Sequence, residues 1–161
     1  MDVESFEGWY RAHYARLLGA LRVRCGDEVL AREGLDEACS RAVERWDRVG
    51  TMAHPAGWVY RVALNQIRRM GRRRTLEAAL VRRQVSPTPL EVSTDVELWA
   101  SVRELPGRQR DVIVLRYLAD LPESEVAAWL GITRGAVSAS AAKARSALAL
   151  SLGQQSEEVR P

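Results

Sequence analysis

Apolar residues recur at three- and four-residue intervals along most of this chain, the spacing of one buried helix face. Phe6, Tyr10, Tyr14, Leu17, Leu18 and Leu21 predict a first helix from about Val3 to Cys25, and Gly26-Asp27 breaks it. A second periodic segment runs from Glu28 to Arg48, after which WDRVGTMAHP (Trp46 to Pro55) loses its period and reads as a loop. Pro55 suits a first helical turn, and Val59, Val62, Ala63, Ile67 and Met70 form the inward stripe of a helix ending in the Gly71–Arg74 run. Beyond a short piece, TLEAALVRRQ, the prolines of VSPTPLEVST mark an extended linker. Thr94 to Glu97 has capping-box spacing and opens a helix with Leu98, Val102 and Leu105. Pro106 opens another, with Val112, Ile113, Leu115 and Leu118 inward, ending at Leu121-Pro122. The expectation is an all-α protein of two small helical domains, residues 1–74 and 95–150, with a linker at 75–94 and an unstructured tail at 151–161.

The most specific spacing lies between Pro122 and Ala147. A helix-turn-helix needs a small residue where two helices approach, a glycine four positions on for the turn, and a branched aliphatic six further to seat the second helix. Ala127, Gly131 and Val137 stand there, with Val126, Leu130 and Ile132 as the apolar side, Gly131 as a left-handed cap and Thr133 as an N-cap. An ordinary core hairpin is the plainer alternative.

Two polar faces stand out. On the second helix Glu33, Asp36, Glu37 and Glu44 stack on one side, a solvated face or one matched to a basic protein. On the fourth segment Trp58, Arg61, Asn65, Arg68 and Arg72 share the side opposite the apolar stripe. An aromatic, an amide and arginines on one face suit single-stranded nucleic acid; a solvated basic helix would look the same.

Charge and composition add little that contradicts this. The 161 residues carry a formal net charge of +3, and of 24 basic residues only Lys143 is lysine. Arginine forks suit phosphates and base edges, although an Arg- and Ala-rich chain also reflects a high-GC genome. No apolar run approaches the ~20 residues of a membrane span, and the acidic start MDVESFEGWY is unlike a signal peptide, so a cytoplasmic protein is expected. Cys25, Cys39, His13 and His54 share no chelating spacing, so neither metal nor cofactor is expected, and no pair of catalytic groups is recognisable.

At this point the residues resemble a family. RELPGRQRDVIVLRYL with LPESEVAAWLGITRGAVSASAAKARSAL is similar to region four of the extracytoplasmic-function (ECF) sigma factors of the sigma-70 family. FEGWYRAHYARLLGAL, GDEVLAREGLDEACSRAVERWDRV and HPAGWVYRVALNQIRR resemble their region two, so nearly the whole chain is covered in the family's order. The resemblance implies a promoter-specificity subunit of bacterial core RNA polymerase, acting without catalysis of its own. Glu33, Asp36 and Glu37 would dock on the clamp helices of the largest subunit, with the C-terminal half near the flap. The loop from Asp47 to His54 would receive a flipped base of the −10 element, with Trp46, Asp47 and Arg48 as DNA-binding residues there; Trp58, Arg61 and Asn65 would hold neighbouring melted nucleotides, joined by Arg68, Arg69 and Arg72. At the −35 element Thr133, Arg134, Ser138 and Ser140 would be the readers, with Lys143 and Arg145 toward phosphate or solvent. An anti-sigma factor is a further partner that small sigma factors often have.

The departures carry information. Asp36 stands in place of the usual glutamine, Cys39 in place of an aromatic, and Arg68 in place of an aspartate on the −10 helix. A Lys-Ser-Arg-like run on the recognition helix reads Ser138, Ala139 and Ser140, which weakens direct readout. A sigma-like regulator that reads DNA poorly therefore stands as the alternative. A conventional repressor would leave the N-terminal half unexplained.

Overall fold

The computed structural model describes residues 5–81 and 95–158; the expected start at Val3, the linker prolines and the Thr94 cap lie outside them. Among the described residues all regular structure is helical.

The first helix, α1 (Phe6–Cys25), begins where the Ser5 hydroxyl accepts from the Gly8 N–H at 3.2 Å and ends at Gly26. Asp27 caps α2 (Glu28–Val43) through the Leu30 N–H at 2.9 Å. That helix stops five residues short of the expected Arg48, and a separate turn, α3 (Trp46–Val49), follows where a loop was expected. Tertiary contact explains the break. Folding the chain back after Val43 lets Trp46 meet Phe6 edge-on at 5.2 Å and Trp9 at 5.3 Å. Burial of a large aromatic outweighs one more helical turn.

Helix α4 (Pro55–Val81) runs past Arg74 into the segment assigned to the linker. Nothing in TLEAALV breaks a helix, and Thr75 turns its hydroxyl back to the Gly71 carbonyl at 2.9 Å instead of leaving the helical path. In the C-terminal half, α5 (Asp95–Glu104) and α6 (Gly107–Ile113) lead into a π-helical turn, Val114–Leu118. Here Val112, Leu115 and Ala119 keep the inward row, and Leu118, expected inward, falls off it and is exposed. Two helices complete the fold, α7 (Glu123–Leu130) and α8 (Arg134–Glu158). The latter carries helix through 151–158, where an unstructured tail was expected; its Leu, Gln and Glu residues are good helix formers, and Ser151 Oγ reaches Ser101 Oγ at 3.3 Å.

The two halves share one continuous core. Leu17, Leu21, Leu35 and Val59 from the first half and Val112, Leu115, Val126 and Val137 from the second belong to the same buried cluster. Helix α4 is consequently apolar on two sides. Ala63 and Ile67 face α2 as the periodicity predicts, while Tyr60 and Leu64, outside the predicted stripe, are also buried. Trp129 of α7 lies over Gly57, where an added Cβ would come within 2.7 Å of its ring, and packs at 5.8 Å against Tyr60. Only a residue without a side chain admits the indole so close.

A buried ion pair closes the other end of this seam. Arg24 Nε, at the end of α1, donates to Asp111 Oδ1 on α6, with side chains only 12% and 9% exposed. Arg110 Nη1 donates to the Arg24 carbonyl at 3.3 Å and Nη2 to the Leu105 carbonyl at 3.0 Å. Burial pushes the Asp111 carboxyl above the ordinary carboxylate range, and Arg24 pulls it back only in part. A carboxyl raised on folding contributes most below its unfolded pKa, and that contribution falls as pH rises through the raised value. Asp111→Ala, which strands the Arg24 charge, should lower unfolding free energy by about 3 kcal/mol or more in urea titration. Replacing both, Arg24→Met with Asp111→Leu, should restore most of that loss and remove the pH-dependent component.

Candidate nucleic-acid interface

Three surfaces gather the residues singled out from sequence. The first is the outer side of α4. Arg61, Asn65, Arg68, Arg69 and Arg72 are exposed along it, and Trp58 is half-buried against the core at its start. They lie beside the C-terminal half. A cavity of about 210 Å³ is lined by Arg61, Leu64, Asn65, Arg68, Asp111 and Leu130, so this face forms one wall of the seam. Trp46 is half-buried in the aromatic group of Phe6 and Trp9, whereas Asp47 and Arg48 on the same short helix are exposed.

The second surface is the acidic side of α2. Three of its carboxylates are engaged, while Glu44 stands at the cap beyond the helix end. Asp36 Oδ1 accepts from the Tyr14 hydroxyl at 2.6 Å, Glu37 pairs with Arg41 at 2.8 Å, and Glu33 pairs with Arg74 at 3.1 Å. Burial and the Asp36 carboxylate together push the Tyr14 hydroxyl well above its ordinary pKa, so it remains a donor. These pairs hold the acids in fixed positions while leaving Glu33 and Glu37 about half exposed. The exposed Val29 and Val43 lie on the same helix.

The third is the helix-turn-helix. Gly131 adopts φ +66°, the left-handed conformation its spacing predicts, and its N–H closes on the Ala127 carbonyl. Thr133 Oγ1 accepts from the Ala136 N–H at 3.1 Å and caps α8. Val137 is fully buried and Ala127 nearly so. Arg134, Ser138, Lys143 and Arg145 face outward, and Arg145 donates to the Tyr117 hydroxyl at 2.9 Å. Ser140 does not belong with them. At 9% exposure it lies on the packed side of α8 with Val137, Ala141 and Ala144, which removes it from the reader set.

Both thiols are poor ligands and nucleophiles: burial raises Cys25 and pushes Cys39 up to about 12. Among the described residues no three of His, Cys, Asp and Glu group as metal ligands, and no helix is long and apolar enough to cross a membrane.

Residues 95–148, which contain the helix-turn-helix, match the family described as Sigma-70, region 4. Over 141 residues the chain is 28% identical to the RNA polymerase sigma-E factor of Streptomyces coelicolor, covering 84% of this chain and 79% of that protein. The protein of the same name from Streptomyces avermitilis is 29% identical over 84% of this chain and 78% of its own length. The C-terminal part of the chain is thus similar to sigma-70 region 4, and most of its length to RNA polymerase sigma-E factors. Solved structures share this fold. The sigma factor RpoE of Bartonella quintana, in complex with the anti-sigma factor NepR, aligns with a TM-score of 0.75 over 92% of this chain and 96% of that one, at 16% identity. CnrH, in complex with the cytosolic domain of CnrY, gives 0.66 over 92% and 88% at 23% identity.

Within this chain, Trp129, Tyr60, Arg24 and Asp111 are the structurally consequential residues that sequence reasoning passed over. Each is unremarkable on its own helix, and only the meeting of the two halves gives it a role. Gly131→Ala, which puts a Cβ into this left-handed turn, should cost about 1 kcal/mol in thermal or urea unfolding and leave α4 intact by circular dichroism.

Proposed function

We propose that this chain is an ECF sigma factor that binds bacterial core RNA polymerase in the cytoplasm, recognises −35 and −10 promoter elements, and promotes melting of promoter DNA. The observation that carries the reading is the region 4 match over residues 95–148, in which Gly131 and Thr133 form the turn and cap of a helix-turn-helix. Helix α8 would enter the major groove through Arg134 and Ser138. Arg61, Asn65, Arg68, Arg69 and Arg72 would hold a separated strand along α4, with Trp58, Asp47 and Arg48 at the end where a base flips out. Because Leu130 and Asp111 share a cavity wall with Arg61 and Asn65, a strand bound along α4 would run beside the C-terminal half. Glu33, Asp36 and Glu37 would meet the basic clamp helices, and the C-terminal half would meet the flap. An anti-sigma factor fits as a partner, since the sigma factor RpoE, of similar fold, was solved with one.

A second reading has one specific support. With Ser140 buried and Ala139 apolar, few side chains of α8 remain to read bases, which favours a sigma-like regulator of weak sequence discrimination. Run-off transcription with reconstituted core polymerase separates the two. Promoter-specific transcripts are expected; core binding without specific starts would favour the regulator, and failure to bind core would end the sigma reading. In the same assay Trp58→Ala and Asn65→Ala should each lower open-complex formation about tenfold, seen as lost permanganate reactivity, with duplex binding retained. Glu33→Arg together with Glu37→Arg should reduce retention on immobilised core by at least tenfold.

A further inference from the structure

The outward side of α8 is a short list of polar groups, and their hydrogen-bonding states differ. Arg134 can only donate. Thr133 uses its oxygen as the cap acceptor for the Ala136 N–H. Ser138 is tied elsewhere: its Oγ donates to Glu123 Oε1 at 3.2 Å, reaching from the second turn of α8 to the first turn of α7.

Glu123 is suited to hold that proton. Its carboxylate lies in the opening turn of α7, where the positive end of the helix dipole favours an anion, and it is half-buried. Among the described residues no lysine or arginine forms an ion pair with it, so Ser138 does not compete with a cation. A serine hydroxyl has one proton and two lone pairs, while a carboxylate only accepts. With the proton given to Glu123, Ser138 turns lone pairs outward, and Glu123 adds its second oxygen beside them.

The base edges of the major groove sort against such a surface. Cytosine N4 and adenine N6 carry amino protons, whereas guanine O6 and N7 and thymine O4 are acceptors. We propose that Glu123 is a specificity-determining residue which, by holding the Ser138 proton, makes this position of the recognition helix select adenine or cytosine on the strand it faces and reject guanine and thymine. The inference rests on the proposed placement of α8 in the −35 groove. It also supplies a readout that does not depend on the missing Lys-Ser-Arg-like run: an acceptor pair at Ser138 beside a donor at Arg134.

The test is a −35 library randomised base by base, transcribed by holoenzyme reconstituted with the full chain, and selected in parallel as duplex by the chain alone. Wild type should favour an amino-bearing base at one position by about tenfold. Ser138→Ala should abolish that preference. Glu123→Gln should shift it toward guanine or thymine, because the amide can donate to the Ser138 oxygen and free its proton for the DNA. Thermal unfolding of each variant, unchanged within a few degrees, shows that the turn itself has not been lost. Profiles of Glu123→Gln and Glu123→Ala that match wild type at every position would overturn the assignment, as would a wild-type profile with no preference that Ser138→Ala removes. Failure of the polymerase to respond at all, with duplex selection intact, would count against the sigma reading and leave this inference standing.

Discussion

The contact between Arg24 and Asp111 joins positions 87 residues apart and ties the two halves of the chain at one end of their shared core. Two charges taken out of water are tolerated only when each is the other's partner. Neither half supplies both, so the low-energy state of either one contains the other. The apolar part of the seam follows the same logic. Trp129 would be a large exposed aromatic on an isolated helix-turn-helix, and Tyr60 and Leu64 would be exposed on an isolated α4; together they become core. Small helical units have little interior of their own, and sharing one is a way to gain it.

Helix α4 is the element on which this sharing is built. One side packs on α2 through Ala63 and Ile67, another receives Trp129 at Gly57, and between them runs the row of arginines and Asn65. The polar row is therefore narrow and rigidly placed, set by two apolar contacts and not by its own interactions. The aromatic group of Phe6, Trp9 and Trp46 does similar work at the start of the helix, since it fixes the short α3 that carries Asp47 and Arg48.

Local signals in the sequence account for much of this. Gly26-Asp27, Pro55 and Gly131 with Thr133 each act through backbone conformation or a cap, which depends on neighbours a few residues away, and each occurs where expected. The inward stripe of α4 was legible for the same reason. What escaped were features set by distant partners. The end of α2 depends on where Trp46 packs, Leu118 on which row meets the rest of the C-terminal half, and the burial of Tyr60 and Ser140 on helices far along the chain. The candidate DNA faces were legible as exposed rows, but that one of them borders the other half was not. Periodicity reports that a face is apolar or polar and is silent about which neighbour covers it.

The seam also makes the shape of this protein a matter of ionic atmosphere. If the halves part, Asp111 departs with the C-terminal half and Arg24 remains behind, at the end of α1, as an uncompensated cation. It then adds to the field of the α4 arginines, so the parted form attracts polyanions more strongly than the joined one and condenses more anions from solution. A nearby nucleic acid favours the parted form, most strongly in dilute salt, and concentrated salt weakens that attraction by screening. The pair that holds the chain shut is thus also a reserve of positive charge, released only by opening.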